Sequence, residues 1–328
     1  MNWDMLGHEW AVSLLQEHVA TEKPRHAYLI TGPQGVGRRT LALRLARALN
    51  CPQPPAPGEA CLNCRDCREI EKMQHPDLAI VQAEHKGGTL KVDQIRELQH
   101  RLALAPYQAR HRLALLLRFE EANPSASNAL LKSLEEPPSS VILVLTAASS
   151  ELLLPTIVSR CEVLQLRPLP ADVVSQGLQT RWGLPPEQAN LLAHISGGRP
   201  GFALSLHQDP HALERRAAWL DDHFRLLSAS HVERFNYAEG LAKDKETLQI
   251  VLQVWTSLWR DLLHQVSGAQ TPLANLDQVE RIKTLSTHFK LETVHAFMSA
   301  LTRTLEDLDR NVNTRLALEV LMLDLPKV

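Results

Sequence analysis

The chain has 328 residues, 44% hydrophobic and 22% charged, and its 35 Lys and Arg against 37 Asp and Glu leave a formal net charge of −2. That length exceeds one comfortable core, so two or three domains are expected. The near-zero balance argues against a chain that holds nucleic acid by itself through a strong field. The start, Met1-Asn2-Trp3-Asp4, lacks a charged-then-apolar leader pattern, and no apolar run is long enough to span a bilayer. A cytoplasmic protein with reduced thiols and no membrane partner is the expectation.

The first strand-like run, 27–30, leads into Gly32-Pro33-Gln34-Gly35-Val36-Gly37-Arg38-Arg39-Thr40, and a helix-like run follows at 41–49. The frame G-x-x-x-x-G between a strand and a helix is that of a phosphate-binding loop. In a working loop the next residues are Lys, for the β- and γ-phosphates, and Ser or Thr, for Mg²⁺. Here they are Arg38 and Arg39. Arg cannot ligate a metal, and its planar fork does not replace a compact ammonium. Thr40 carries a hydroxyl one residue late, about 100° further round the helix. The sequence predicts an NTPase-like fold whose hydrolytic chemistry is lost; unproductive nucleotide binding by the remaining backbone N–H groups stays physically open.

Next come Cys51 and Cys61-x-x-Cys64-x-x-Cys67, four of the five cysteines, separated by a Pro-rich loop that lets Cys51 fold back. Four thiolates on short spacers suit tetrahedral Zn²⁺ in a closed, structural site. A C-x-x-C dithiol and an iron–sulfur cluster use the same residues.

Further strand-like runs fall at 78–81, 113–117, 141–146 and 163–166, with helical patterns at 92–104 and 125–134. Continuous apolar strands alternating with helices imply a parallel sheet covered on both faces. An active NTPase ends a strand with an acidic pair that holds Mg²⁺. At the corresponding place stand Leu117 and Arg118, with Glu120 and Glu121 about three positions late. Arg110, His111 and Arg112 form a basic cluster, readable as a solvated loop or as a face toward DNA. Arg160, in Ser159-Arg160-Cys161 before the last strand, reads either as a surface ion-pair residue or as an arginine reaching a neighbour's nucleotide site. Cys161 reads as a small buried filler.

Beyond 170 the strands stop. Short helices broken at 183–186 and 196–198 are followed from about 209 by a wholly helical pattern, with breaks near 229–230, 268–272 and 310–313. Trp255 and Trp259, four apart, share a helix face and read as packing residues.

His26-Ala27-Tyr28-Leu29, the cysteines after Ala48-Leu49-Asn50, the string Asn128-Ala129-Leu130-Leu131-Lys132-Ser133-Leu134-Glu135-Glu136-Pro137-Pro138 and the Ser159-Arg160-Cys161 motif together resemble the AAA+ clamp-loader subunits of bacterial DNA polymerase III. Asn311-Val312-Asn313-Thr314-Arg315-Leu316 resembles their last collar helix. The resemblance implies an AAA+ (P-loop type) α/β domain at 1–168 with an inserted zinc module at about 51–74, an all-α lid at 169–208 and an all-α collar (oligomerisation) domain at 209–328. In that family the gamma/tau motor subunits keep the loop Lys, Thr and acidic pair, and the delta subunit lacks the zinc module. This chain resembles the remaining type, a subunit without its own ATPase. The resemblance implies Arg160 acting in trans on ATP held by a motor subunit. It also implies gamma/tau, delta, the sliding clamp and primed DNA as partners. Thr146 matches the family's first sensor position, and Arg199 lies near a nucleotide-sensing arginine of the lid. Two other readings are an ATP-hydrolysing motor that recruits Thr40 or Glu120 to the metal, and a stand-alone zinc-containing nucleic-acid binder. Against the latter stand the neutral charge and the 5% aromatic content.

Overall fold

In the computed structural model, which describes residues 3–85, 87–310 and 312–328, every strand is parallel and joins one sheet. The strands are β1 (Ala27–Thr31), β2 (Leu78–Val81), β3 (Arg112–Leu116), β4 (Val141–Ala147) and β5 (Glu162–Gln165), in the order β2-β3-β4-β1-β5. Successive side chains of a strand point to opposite faces. Tyr28, Ile30, Leu113, Leu115, Ile142 and Val144 therefore join one core cluster, and Leu29, Ala114, Leu116, Leu143 and Leu145 another. Helices α1 (Glu9–Ala20) and α2 (Arg38–Asn50) supply the first cluster, followed in the chain by the short α3 (Arg65–Glu71). Helices α4 (Val92–Leu102), α5 (Pro124–Glu135) and α6 (Pro155–Val158) supply the second. Central β1 and β4 are buried throughout, which is why they read as unbroken apolar runs, whereas edge strand β5 buries only Leu164. The strand expected at 113–117 begins and ends one residue earlier, because Arg112 already pairs with Val141 across the sheet.

The chain divides into two compact units, Met1–Arg181 with Gly198–Phe202, and Trp182–Gly197 with Ala203–Val328. Helix α7 (Ala171–Trp182) lies almost wholly in the first unit, where Gly177 runs against Leu6, and Arg181 donates to the carbonyls of Asp4 and Met5.

The second unit is helical: α8 (Pro186–Ile195), most of α9 (Pro200–Gln208), α10 (Ala212–Ser228), α11 (His231–Leu241), α12 (Lys245–Ser267), α13 (Val279–Ser286), α14 (Leu291–Asp309) and α15 (Thr314–Asp324). Trp255 and Trp259 are buried at the centre of its core, as their spacing implies. Asn311, which opens the collar-like string, lies outside the described residues, while Asn313 caps α15 by accepting from the Leu316 N–H. Two buried polar groups organise this core. Arg234, with no exposure at all, donates to the carbonyls of Leu226, Leu227, Met322, Leu325 and Pro326. These acceptors lie at the carboxyl ends of α10 and α15, where backbone carbonyls lack helical partners and the dipole favours a cation.

His223 accepts from Trp259 Nε1 at 2.7 Å, so its proton sits on Nδ1, which has no partner among the described residues. Burial drives its pKa down from 6.5 to about 3, with Arg234 adding to the effect. The unfolded chain takes up this proton near pH 6.5 and the folded one does not. The stabilising contribution is thus complete above pH 6.5 and is lost as pH falls from there toward 3, at up to about 1.4 kcal/mol per pH unit. His223→Phe should flatten the fall in urea-unfolding stability between pH 7 and pH 5, followed by tryptophan fluorescence. The same slope in variant and parent would count against it.

Candidate functional site: a phosphate-type loop and a four-cysteine cluster

Between β1 and α2 the chain turns through Gly32, Gly35 and Gly37, all with positive φ. At Gly32 a Cβ would sit 2.3 Å from the Leu166 carbonyl oxygen, and at Gly35 2.7 Å from the Phe202 nitrogen, so both positions demand glycine. The close approach at Gly35 is made by the start of α9: Gly201 N–H donates to the Gly35 carbonyl at 2.8 Å. Arg199 lies over the Phe202 ring, 4.6 Å from its centroid. His8 donates from Nε2 to the Val36 carbonyl at 3.1 Å, tying the loop's other flank.

Arg38 opens α2 and turns toward the carboxyl end of β3. Its Nη1 stands 3.9 Å from Glu120 Oε1, both side chains being mostly buried. Glu120 also accepts from the Ala148 N–H at 3.2 Å, while Arg118 Nε pairs with Glu121 at 2.8 Å. Burial weakens Arg38's hold on its proton and nearby Arg118 adds to that, with Glu120 opposing. Thr146, at the end of β4, accepts from the Arg118 N–H. The carboxylates lie beyond the strand because β3 ends at Leu116, and Phe119–Glu121 form a 3₁₀ turn that returns them toward the loop. Arg39 and Thr40 face elsewhere: both line a cavity between α2 and α3.

Cys51 caps the carboxyl end of α2, and Cys64 caps the start of α3 by accepting from the Cys67 N–H. Cys51, Cys61, Cys64 and Cys67 bring their sulfur atoms within 4.8 Å of one another. Four thiolates about 2.3 Å from a tetrahedral ion lie about 3.8 Å apart, so the set fits such an ion. Backbone N–H groups of Cys61, Cys64 and Cys67 donate to the sulfurs of Cys51, Cys61 and Cys64 at 3.2, 3.3 and 3.4 Å, a pattern that stabilises thiolates. At Cys61 burial pushes the thiol up, but the N–H groups of Cys64 and Asn63 outweigh it and the pKa falls to about 6, whereas at Cys64 and Cys67 burial outweighs the N–H groups and the thiols stay raised. The loop between Cys51 and Cys61 is fixed on α1: Gly58 packs on the Gln16 carbonyl and accepts from Trp3 Nε1.

Arg160 follows α6. Its Nη2 pairs with Glu135 at 2.8 Å and its Nη1 donates to the Thr156 carbonyl at 2.9 Å, with the side chain 35% exposed. Burial raises the Cys161 thiol to about 12, in keeping with a filler. The basic cluster at 110–112 is not a free face. Arg112 pairs with buried Asp77 at 3.1 Å, and Asn50 holds His111 through its N–H and carbonyl, leaving Arg110 exposed. Asp77 also accepts from the N–H groups of Tyr107, Gln108 and Ala109, which shapes that loop from within.

A family model described as DNA polymerase III, delta subunit, matches residues 7–170, and one for the C-terminal part of that subunit matches 210–327. A DNA polymerase III delta-prime subunit from Pseudomonas aeruginosa is 38% identical over 201 residues, 60% of this chain and 60% of its own length. Another from Bacillus subtilis is 28% identical over 316 residues, 95% of this chain and 94% of its own. The chain belongs to the delta-prime family of DNA polymerase III clamp-loader subunits. A solved DNA polymerase III gamma-subunit-related protein from Thermotoga maritima shares the fold, with a TM-score of 0.50 at 18% identity, covering 95% of this chain and 97% of its own. In this clamp-loader subunit the pairing of Arg38 with Glu120 escapes sequence reading, because the partners are 82 residues apart and Arg in that place signals only a missing Lys. The seating of Gly201 on Gly35 had only the unusual Gly198-Arg199-Pro200-Gly201 string as its signal.

Proposed function

We propose that this subunit supports the clamp loader without hydrolysing ATP, and that it lends Arg160 to the nucleotide site of a neighbouring gamma/tau-type motor subunit. The observation that carries the first half is the Arg38–Glu120 pair. Where a working loop offers an ammonium to the terminal phosphates, this chain offers a guanidinium already facing its own carboxylate. Leu117 and Arg118 stand where metal-holding acids would be, and the Gly35 carbonyl is taken by Gly201. Thr40 faces the α2–α3 cavity, so it does not stand in for the metal-binding hydroxyl.

The second half rests on Arg160. Thr156 and Ser159 hold one edge of its guanidinium, and the other edge meets Glu135, itself half-exposed. Such a surface pair contributes about 0–1 kcal/mol, so the guanidinium exchanges readily to a phosphate presented by another subunit. There its fixed fork would stabilise the charge that develops on the transferred phosphoryl group. Arg199 would sense a nucleotide only after leaving the Phe202 ring.

The same reading divides the chain into an AAA+ domain at 1–168, a lid at 169–208 and a collar at 209–328. It makes the motor subunits, delta, the sliding clamp and primed DNA its partners, in a cytoplasmic, replisome-associated setting. Among the described residues no helix is long and apolar enough to cross a membrane. We infer that the four cysteines hold one structural Zn²⁺, which cross-links the end of α2 to the start of α3.

The purified chain should not hydrolyse ATP. Added to motor subunits, delta, clamp and primed DNA it should support turnover that falls on the order of 10³-fold at the served site in Arg160→Ala. Undiminished turnover by that variant would reject the trans role, and turnover by the chain alone would make it a motor. Arg38→Lys should not create hydrolysis, since the metal-holding acids are still missing; clear activity would overturn the account of Leu117 and Arg118. Metal analysis should find one zinc per chain, lost in Cys64→Ser together with part of the thermal stability. A zinc-free parent protein would sink the metal assignment.

A further inference from the structure

Helix α2 has two working faces. Leu41 and Leu45 pack toward the sheet while Arg38 meets Glu120. Residues three and four apart share a helix face, so Arg39, Thr40, Leu43, Arg44 and Arg47 gather on the side toward α3. There a cavity of about 150 Å³ is lined by Arg39, Thr40, Leu43, Arg44, Glu71 and Met73. At roughly 30 Å³ per water it has room for one tetrahedral oxyanion.

The charges around it do not balance. Glu71 Oε2 is shared by Arg47 Nη1 at 2.8 Å and Arg44 Nη1 at 3.4 Å. Asp4 stands 3.6 Å from Arg44 but also 3.3 Å from Arg181. The Arg39 guanidinium is exposed and pairs with no side chain among the described residues. Arg44, which lines the cavity, has a buried Nε with no acceptor among the described residues; Arg47 Nε and Nη2, behind the lining and reached through Glu71, have none either. Buried donors left unpaired cost free energy until an acceptor is supplied. Forked guanidiniums beside a hydroxyl suit the several acceptor oxygens of a phosphate.

We propose that this notch between α2 and α3 binds a phosphate group, carried either by a free polyphosphate or by a nucleic-acid backbone. It is separate from the phosphate-type loop, since the Arg38 side chain is turned to the sheet edge and the notch residues are turned away from it. The proposal does not draw on the function inferred above and stands or falls separately.

The test is calorimetric titration of the full chain with pyrophosphate and, in parallel, with an oligothymidylate, against sodium chloride at matched ionic strength. At least one probe should bind, and Arg39→Gln with Arg44→Gln should weaken it by about tenfold or more. Exposed Arg39→Glu, a change the fold accommodates, should abolish binding, and binding should persist in Arg38→Gln. Preference for pyrophosphate or for the oligonucleotide through these same arginines identifies the source of the phosphate. No binding of either probe, or binding lost in Arg38→Gln but retained in the Arg39 and Arg44 variants, overturns the proposal.

Discussion

A parallel sheet buried on both faces leaves polar groups only its two edges to gather at, and the organisation of the first unit follows from how they are filled: Asp77 and Arg112 pair at the amino edge, and the phosphate-type loop stands at the carboxyl edge. Apart from the Tyr28 hydroxyl, which accepts from the Arg25 N–H, central β1 and β4 carry apolar side chains until Thr31 and Thr146 near their ends. Beyond them the chain sets Arg38, Arg118, Glu120 and Glu121. In an NTPase this edge is electropositive and open toward a polyphosphate. Here two arginines face two carboxylates, Arg38 near Glu120 and Arg118 on Glu121, and the backbone of the central loop glycine is covered by Gly201 and Phe202.

The strands were legible because burial on both faces leaves a run of apolar residues that survives without context. Runs at 27–30, 78–81 and 141–146 match the observed strands to within a residue at one end. α3 was not legible, since its seven residues include one of the metal-type cysteines and are too few to show a helical period. Nor was α1: Val12 and Leu15 bury one side while Glu9 and Glu17 dilute the pattern, and no conventional N-cap announces it, His8 adopting a left-handed conformation. The break between α11 and α12 was also missed, although Asp244 caps α12 by accepting from two N–H groups.

For the site the dividing line is separation along the chain. The cysteine cluster draws its ligands from within seventeen residues, so spacing alone brought them together. Arg38 with Glu120, Arg47 with Glu71 and Asp77 with the 107–109 loop are pairings across the fold. An isolated Arg or Asp in a sequence does not say whether its partner is solvent, a ligand or another side chain. Arg112 shows this well: three adjacent basic residues suggested an outward cluster, yet its guanidinium is turned inward to a buried carboxylate.

Arg234 bears on the order in which the second unit can be built. Its acceptors at Leu226 and Leu227 lie eight and seven residues earlier, but those at Met322, Leu325 and Pro326 lie 88 to 92 residues later. On a ribosome the early carbonyls emerge first, and a guanidinium holding two of five acceptors cannot yet be drawn out of water. The core around Trp255 and Trp259 therefore remains open during synthesis of α12 through α15. It closes in one late, long-range step, and a nascent chain paused within α14 exposes apolar surface to chaperones until the 322–326 segment arrives.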